Sequence, residues 1–429
     1  MTRPALHGGA PVWTGGWPEW PVHDTREIEA ASRVIASGRW WRHAYGHGVE
    51  LREDPEADGH SEVALFQDAF ARYHECRHGI AAANGTVTME IALRAMGVRP
   101  GDEVIVPAYT YIATATAVLM INAVPVFVDV EPGSFNLDPD RLEEAITSRT
   151  TAVIPVHFAG QPADMDAISA VASRHGLAVL EDAAHAHGAS YRGRSCGSLA
   201  GAASFSFQAS KPMTAGEGGI ITTDRQDIAE RCKSLVWAGR REGMPWYRHF
   251  VLASNARMTE IQGAILSVQL SRLEAQVRLR MERAAALDAL LADVEGITPC
   301  AMRPASTRHT YHLYMLRYTP AAFGDLSKDD FVAALLAEGI APAASGYERP
   351  LYRNPLFLDG EFWGDGCPVG CPRRNAVIDY ASFSERCPVS ERACATEAVW
   401  LNTSALMGTE EHLQAIRQAI GKIQKAARS

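Results

Sequence analysis

Between residues 78 and 224 the chain keeps returning to one unit: a short apolar run, a turn, then a segment of helical length. Residues 79–98, GIAAANGTVTMEIALRAMGV, read as strand, tight turn and helix. GDEVIVPAYTYIATATAVLM follows, with a buried strand over Glu103–Val106, a proline-containing turn and another helix. VPVFVDV, TAVIPVHF and LAVLEDA are further strands, and NLDPDRLEEAI and PADMDAISAVASRHG read as helices between them. This alternation with short connections predicts an α/β fold: a mostly parallel sheet with helices on both faces.

The flanks differ. Residues 1–23, rich in Gly, Pro and Trp, read as an arm packed on a larger body. A helix is expected over Thr25–Ser37, stopped by Gly38, and a second over Glu62–Tyr73; a polar loop, Ala44 to His60, lies between them. A long periodic stretch runs from Met258 to Leu291. Then YHLYMLRYTP (strand), KDDFVAALLAEGI (helix) and TEEHLQAIRQAIGKIQ (helix) suggest a smaller C-terminal α+β domain. The expected division is 1–300 for arm and large domain and 301–429 for the small one, with the linker near TPCAMRPASTRHT.

A net charge of -9 speaks against a nucleic-acid groove, which needs clustered Lys and Arg. The start lacks the apolar run of a signal peptide, and no stretch is apolar enough to span a bilayer. A cytoplasmic protein without membrane or nucleic-acid partners is expected. The eight cysteines are scattered and read as free thiols. Cys367, Cys371, Cys387 and Cys394 lack the tight paired spacing of a zinc site, and the first three each precede a proline.

The chemistry concentrates in SFSFQASKPMTAGEGGIITTD, residues 204–224. Two apolar, β-like halves flank a polar loop that carries Lys211 and a glycine cluster. A surface lysine in a hairpin is the bland alternative. A second signal competes with it: LAVLEDAAHAHGA, whose strand breaks at Asp182. Gly85, Thr86 and Val87 open a helix whose free N–H groups suit a phosphate. Tyr109 and Tyr111 follow the end of a strand, where ligands of open α/β sheets bind; core packing is the alternative for each. Together with Ser206 just ahead of Lys211, these residues suit pyridoxal 5′-phosphate. Lys211 would form the Schiff base and Asp182 would keep the pyridine nitrogen protonated. Tyr111 would stack on the ring, His185 would touch its hydroxyl, and Thr86 and Ser206 would hold the phosphate. His185 and His187 could suggest a metal, but no third ligand follows at helical spacing. GEGG is not a dinucleotide-binding fingerprint.

NGTVTMEIALRAMGVRPGDEVIVPAYTYIATA, EDAAHAHGA, SFSFQASKPMTAGEGG and SNARMTEIQGAI resemble the DegT/DnrJ/EryC1/StrS family of fold-type-I aminotransferases. The resemblance runs from about residue 25 to the C-terminus. It implies a seven-stranded, mostly parallel sheet and a homodimer with active sites at the subunit interface, where Asn255 matches an asparagine that reaches the partner's cofactor phosphate. Family members acting as dehydratases replace the lysine by histidine; Lys211 is present here. SFQASK places Gln208 where many nucleotide-sugar members have histidine. That is similar to the glutamine-dependent scyllo-inosose and 2-deoxy-scyllo-inosose branch and to 3-amino-5-hydroxybenzoate synthase. The expectation is an aminotransferase carrying nitrogen from L-glutamine or L-glutamate to a cyclic ketone in secondary metabolism. A nucleotide-sugar aminotransferase, and a dehydratase or oxidase on the same fold, are the alternatives. Arg42, Tyr109, Gln208 and Arg349 are the substrate candidates.

Overall fold

The computed structural model describes residues 3–41, 61–245, 247–360, 362–363, 366–370 and 378–428, and the backbone alone of 44–45 and 51–52. Arg42, most of the 44–60 loop and Cys371 lie outside the described residues.

Seven strands build the main sheet: β1 His78–Ala82, β2 Glu103–Pro107, β3 Val124–Val128, β4 Thr150–Val153, β5 Ala178–Asp182, β6 Ala202–Ser206 and β7 Gly219–Thr223. Their order across the sheet is β1-β7-β6-β5-β4-β2-β3. β7 is antiparallel to both its neighbours, β6 and β1, and the remaining pairs are parallel. The connection 207–218 carries no helix and turns the chain straight back as a hairpin. Successive side chains leave opposite faces of a strand. Ile80, Ala202 and Ile221 accordingly enter one apolar cluster, while Ala81, Ala203 and Ile220 enter another. With both faces apolar, both must be covered.

Six helices provide that cover, α2 Glu62–Tyr73, α3 Gly85–Ala95, α4 Ala113–Met120, α5 Met165–His175, α6 Gln226–Val236 and α7 Glu260–Leu291, and α1 Thr25–Ser37 packs on α7. α3, α4, α5 and α6 fill the first cluster, and α2 with the first half of α7 the second. The helix expected over NLDPDRLEEAI forms only a 3-10 turn, Pro139–Arg141, and a single α turn, Leu142–Ala145. Leu137 and Leu142 both enter the first core, but Leu137 is held extended by a bridge to Val130 and Pro139 opens the first turn, so the helix cannot begin before it.

α7 has 32 residues and spans about 48 Å. Thr259 and Gln262 cap its start reciprocally. Its far end, with Ala284, Leu287 and Leu291, enters a separate core. That core lies against an antiparallel sheet of β8 Ile297–Pro299, β9 Leu313–Tyr318, β10 Ala343–Ala344 and β11 Ala398–Asn402, ordered β8-β9-β11-β10. Helices α8 Lys328–Ala337 and α9 Glu410–Ala427 complete it. The N-terminal arm docks here. Buried Glu338 accepts the Ala5 N–H at 2.8 Å, the Val12 N–H at 3.0 Å and Lys422 Nζ at 2.7 Å.

Residues beyond 300 also return to the first core. Leu351, Tyr352, Phe357, Tyr380, Phe383 and Cys387 join the first core. The rings of Tyr352, Phe357, Tyr380 and Phe383 surround Phe127, with centroids 5.1–5.9 Å away. Phe127 belongs to β3, an edge strand, and this return of the chain covers that edge. Among the described residues no helix is long and apolar enough to cross a membrane.

Candidate active site

The C-terminal ends of β1, β2, β5 and β6 lie along one edge of the sheet, the place where such folds bind ligands. At the end of β1, Asn84 Oδ1 accepts the Val87 N–H at 2.9 Å, and its carbonyl accepts the Thr88 N–H at 3.1 Å. The N–H groups of Gly85 and Thr86 are left without a protein partner among the described residues. Ser206, the last residue of β6, closes the other side. A Cβ built on Gly85 would fall 2.6 Å from Ser206 Cβ, and one on Gly219 would fall 2.6 Å from the Asn84 carbonyl carbon. Glycine at both positions is what lets the helix start press against the strand ends. Two free N–H groups at a helix N-terminus beside a hydroxyl form an anion cradle.

Asp182 ends β5 and is buried. Thr114 Oγ1 donates to its Oδ2 at 2.8 Å and the Ala184 N–H to its Oδ1 at 3.2 Å. Burial raises the carboxyl above its ordinary range, while these bonds and the charge of Lys211 act against that rise. Lys211 lies half-buried in the 207–218 hairpin, its N–H bonded to the Gln208 carbonyl at 2.9 Å. Burial lowers its ammonium to about 8, opposed by the charge of Asp182. An amine and a carboxylate that feel each other this way suit a bound group with an electrophilic carbon at one end and a basic nitrogen at the other.

His185 is buried, and its Nδ1 accepts the Ala159 N–H at 3.3 Å. Burial holds the imidazole well below its ordinary value. The ring is therefore neutral, with its proton on Nε2. His312 packs on it at 4.2 Å between centroids. His187 lies apart, between the rings of Phe70, Phe205 and Phe207.

The remaining candidates scatter. Tyr111 is 57% exposed at the start of α4. Tyr109 is fully buried, packs against Phe135 and Phe158, and its hydroxyl accepts from Trp400 Nε1 at 3.2 Å. Gln208 Oε1 is occupied by the N–H and hydroxyl of Ser210. Arg349 pairs with Glu348. Asn255 is exposed, with the Arg257 N–H at 3.4 Å from its Oδ1. Arg42 lies outside the described residues.

Two residues were not singled out in the sequence. Thr114 sits in the alternating ATATA run, where nothing marks one threonine above another. Tyr347 packs edge-on to Trp400 and to Tyr109, at 4.7 and 5.2 Å. Burial pushes its phenol up, and Asp182 and Tyr111 add to the shift, which puts it at the same site.

A sequence model of the DegT/DnrJ/EryC1/StrS aminotransferase family matches residues 55–369. The chain belongs to this family. It is an aminotransferase, and its cofactor is pyridoxal phosphate, which the anion cradle, the amine and the buried carboxylate fit. One curated relative is the L-glutamine:2-deoxy-scyllo-inosose aminotransferase of Streptomyces lividus, 37% identical over 429 residues, covering 98% of this chain and 97% of the relative. Another, from Streptomyces kanamyceticus, is provisionally named an L-glutamine:3-amino-2,3-dideoxy-scyllo-inosose aminotransferase; it is 38% identical, covering 98% of this chain and 96% of the relative. Among solved structures, 3-amino-5-hydroxybenzoic acid synthase superposes with a TM-score of 0.83 at 34% identity, covering 96% of this chain and 99% of that one.

Proposed function

We propose that this aminotransferase carries the amino group of L-glutamine to the ketone carbon of a cyclitol, a six-membered polyol ring of the inosose type. The observation that carries this reading is likeness over the whole chain to glutamine:inosose aminotransferases, at 37% identity for the one from Streptomyces lividus.

Bound pyridoxal phosphate supplies an aldehyde that takes the amino group and a ring that accepts carbanion charge. The chain's own groups do the rest. The N–H groups of Gly85 and Thr86 and the Ser206 hydroxyl hold the phosphate, and Val87, its N–H already used by Asn84, keeps the helix start in place. Asp182 keeps a proton on the ring nitrogen; two charges of opposite sign in a buried site stabilise each other's ionised form. His185 offers Nε2–H to the ring hydroxyl, since Nδ1 is engaged by Ala159. Tyr111 would cover one face of the ring. Lys211, lowered to about 8, is deprotonated in a useful fraction near neutral pH. It would be the amine that holds the aldehyde carbon of the cofactor and the base that would move a proton between the donor α-carbon and the cofactor C4′. Gln208, Arg349, Tyr109 and Arg42 remain the substrate candidates.

We also propose a homodimer that completes the site. Asn255 and Tyr111 are exposed in the single chain, and Tyr247 and Leu252, 76% and 89% exposed, leave apolar surface in the same loop as Asn255. Asn255 reaching a second copy's phosphate would cover them.

The test is the visible absorption spectrum of the purified protein before and after L-glutamine, followed by 2-deoxy-scyllo-inosose. Fading of the band with glutamine and its return with the cyclitol ketone is the expected result. A band that fades but is restored only by a nucleotide-linked ketosugar would overturn the acceptor.

A further inference from the structure

Residue 181 lies one position before Asp182 on β5, so its side chain leaves the opposite face of the sheet. Glu181 is fully buried there. Its Oε1 accepts the Leu199 N–H at 2.8 Å and the Ala200 N–H at 3.0 Å. Its Oε2 accepts the Gly197 N–H at 2.7 Å and lies 2.9 Å from His157 Nε2. His157 is equally buried, and its Nδ1 accepts the Ala163 N–H at 3.1 Å, which leaves the ring proton on Nε2, donated to Glu181. Cys196 brings a thiol within 4.8 Å, so the three could be read as metal ligands. The bonding argues otherwise. Each carboxylate oxygen already accepts two donors, both histidine nitrogens are engaged, and burial pushes the Cys196 thiol well up.

His157 reaches the cofactor face through its backbone. Its N–H donates to the Asp182 carbonyl at 3.0 Å, and the Asp182 N–H returns a bond to Pro155 at 2.9 Å. Two residues on, Ala159 adopts a φ of 56° and donates the N–H that fixes the His185 ring. A non-glycine residue in that region must be held by its surroundings. The His157 ring is thus bonded to Glu181 and to Ala163 while its backbone is bonded to Asp182, so this one residue joins the end of β5 to the segment that orients His185.

We propose that the His157–Glu181 pair is the positioning element that sets both Asp182 and His185 against the cofactor ring, from the far side of the sheet. His157 and Glu181 touch neither cofactor nor substrate; they act through the two residues that do. The proposal rests on the pyridoxal phosphate reading of the site.

The experiment compares wild type, His157→Phe and His157→Gln. Phenylalanine keeps a planar ring but donates nothing to Glu181 and accepts nothing from Ala163; glutamine can do both. Three quantities are read: thermal midpoint, cofactor Kd, and the ratio of visible to near-ultraviolet cofactor absorption. His157→Phe is expected to weaken cofactor binding roughly tenfold, the size seen when the hydrogen-bond partners behind metal ligands are lost, and to change the absorption ratio, with His157→Gln restoring much of both. A lowered thermal midpoint with wild-type Kd and absorption ratio would overturn the proposal, leaving the pair a purely structural contact. A wild-type protein that takes up no cofactor would sink the functional reading instead. The positioning claim is then read in a crystal structure of His157→Phe: displacement of the Asp182 carboxylate and the His185 ring supports it, and both in their wild-type places overturn it. If His157→Phe does not fold, the same readings on His157→Asn, which is too short to reach Glu181 as the imidazole does, decide the matter.

Discussion

Thr114 and Asp182, 68 residues apart, share one hydrogen bond of 2.8 Å in which the threonine hydroxyl donates to Oδ2. Both side chains are buried, and burial alone pushes the Asp182 carboxyl upward. The Thr114 bond is the largest influence holding it down. Thr114→Val keeps the shape and removes the donor. It should destabilise the protein by about 1–2 kcal/mol and weaken the cofactor, because Asp182 ionises less readily. Urea unfolding and a cofactor titration measure the two effects; an unchanged Kd would show that the ring nitrogen does not depend on this carboxylate.

Gly85→Ala should damage the phosphate cradle. The new Cβ would lie 2.6 Å from Ser206 Cβ, closer than carbon atoms approach, so α3 and β6 must separate. Strain of about 1–3 kcal/mol is expected, together with a clear rise in cofactor Kd. Gly133→Ala is the control, since a Cβ there meets nothing within 4 Å. Equal behaviour of the two variants in a cofactor titration would count against the cradle.

Lys211 makes the stability of the cofactor-free protein depend on pH in an unusual direction. Its folded value of about 8 lies below the ordinary 10.5. Between those values the unfolded chain holds a proton that the folded one has released, so stability rises with pH. Below about 8 both states carry the proton and the cost of burying it is fully present. Wild type should therefore gain on Lys211→Met as pH rises from 8 to 10. A difference between the two in urea that stays constant over that range would refute the lowered value.

Arg272 clamps α1 onto α7. Its Nε and Nη2 donate to the two oxygens of Glu27 at 2.9 and 2.8 Å, and Gln269 adds a bond at 2.8 Å. Arg272→Met leaves a buried carboxylate without its cation and should cost about 3 kcal/mol at neutral pH. The Glu27 carboxyl is held below its ordinary 4.5: burial alone would raise it, and the Arg272 and Gln269 bonds more than offset that. Stability from this pair is thus present above 4.5 and fades as the pH falls below it. The gap between wild type and variant should close on acidification; a gap independent of pH would point to lost packing alone.

The legible part of the fold was the part written in short-range pattern. The helices Thr25–Ser37 and Glu62–Tyr73 occupy the spans expected of them, because each has a capping residue before it and an apolar stripe along it. NLDPDRLEEAI shows the limit of the same reasoning: its composition suits a helix, and Leu137 and Leu142 both reach the first core, but Leu137 does so extended, in a bridge to Val130, so only the residues after Pro139 turn. The packing of Tyr352, Phe357, Tyr380 and Phe383 onto β3 had no local signal at all, since Phe127 and Tyr380 are read in sequence as two unrelated aromatics.

By itself the sequence determined the strand–helix alternation, the break of β5 at Asp182, the helix start at Gly85 and the hairpin that carries Lys211. These follow from periodicity, capping and turn chemistry within a few residues. Only the tertiary structure decided that Thr114 is the residue bonded to Asp182, that Glu338 ties down the N-terminal arm, and that His157 joins Asp182 to His185 from behind. The physical reason is that periodicity specifies which face of an element is buried, not which distant residue it will meet there; burial then forces every polar group on that face to find a partner, wherever in the chain the partner lies.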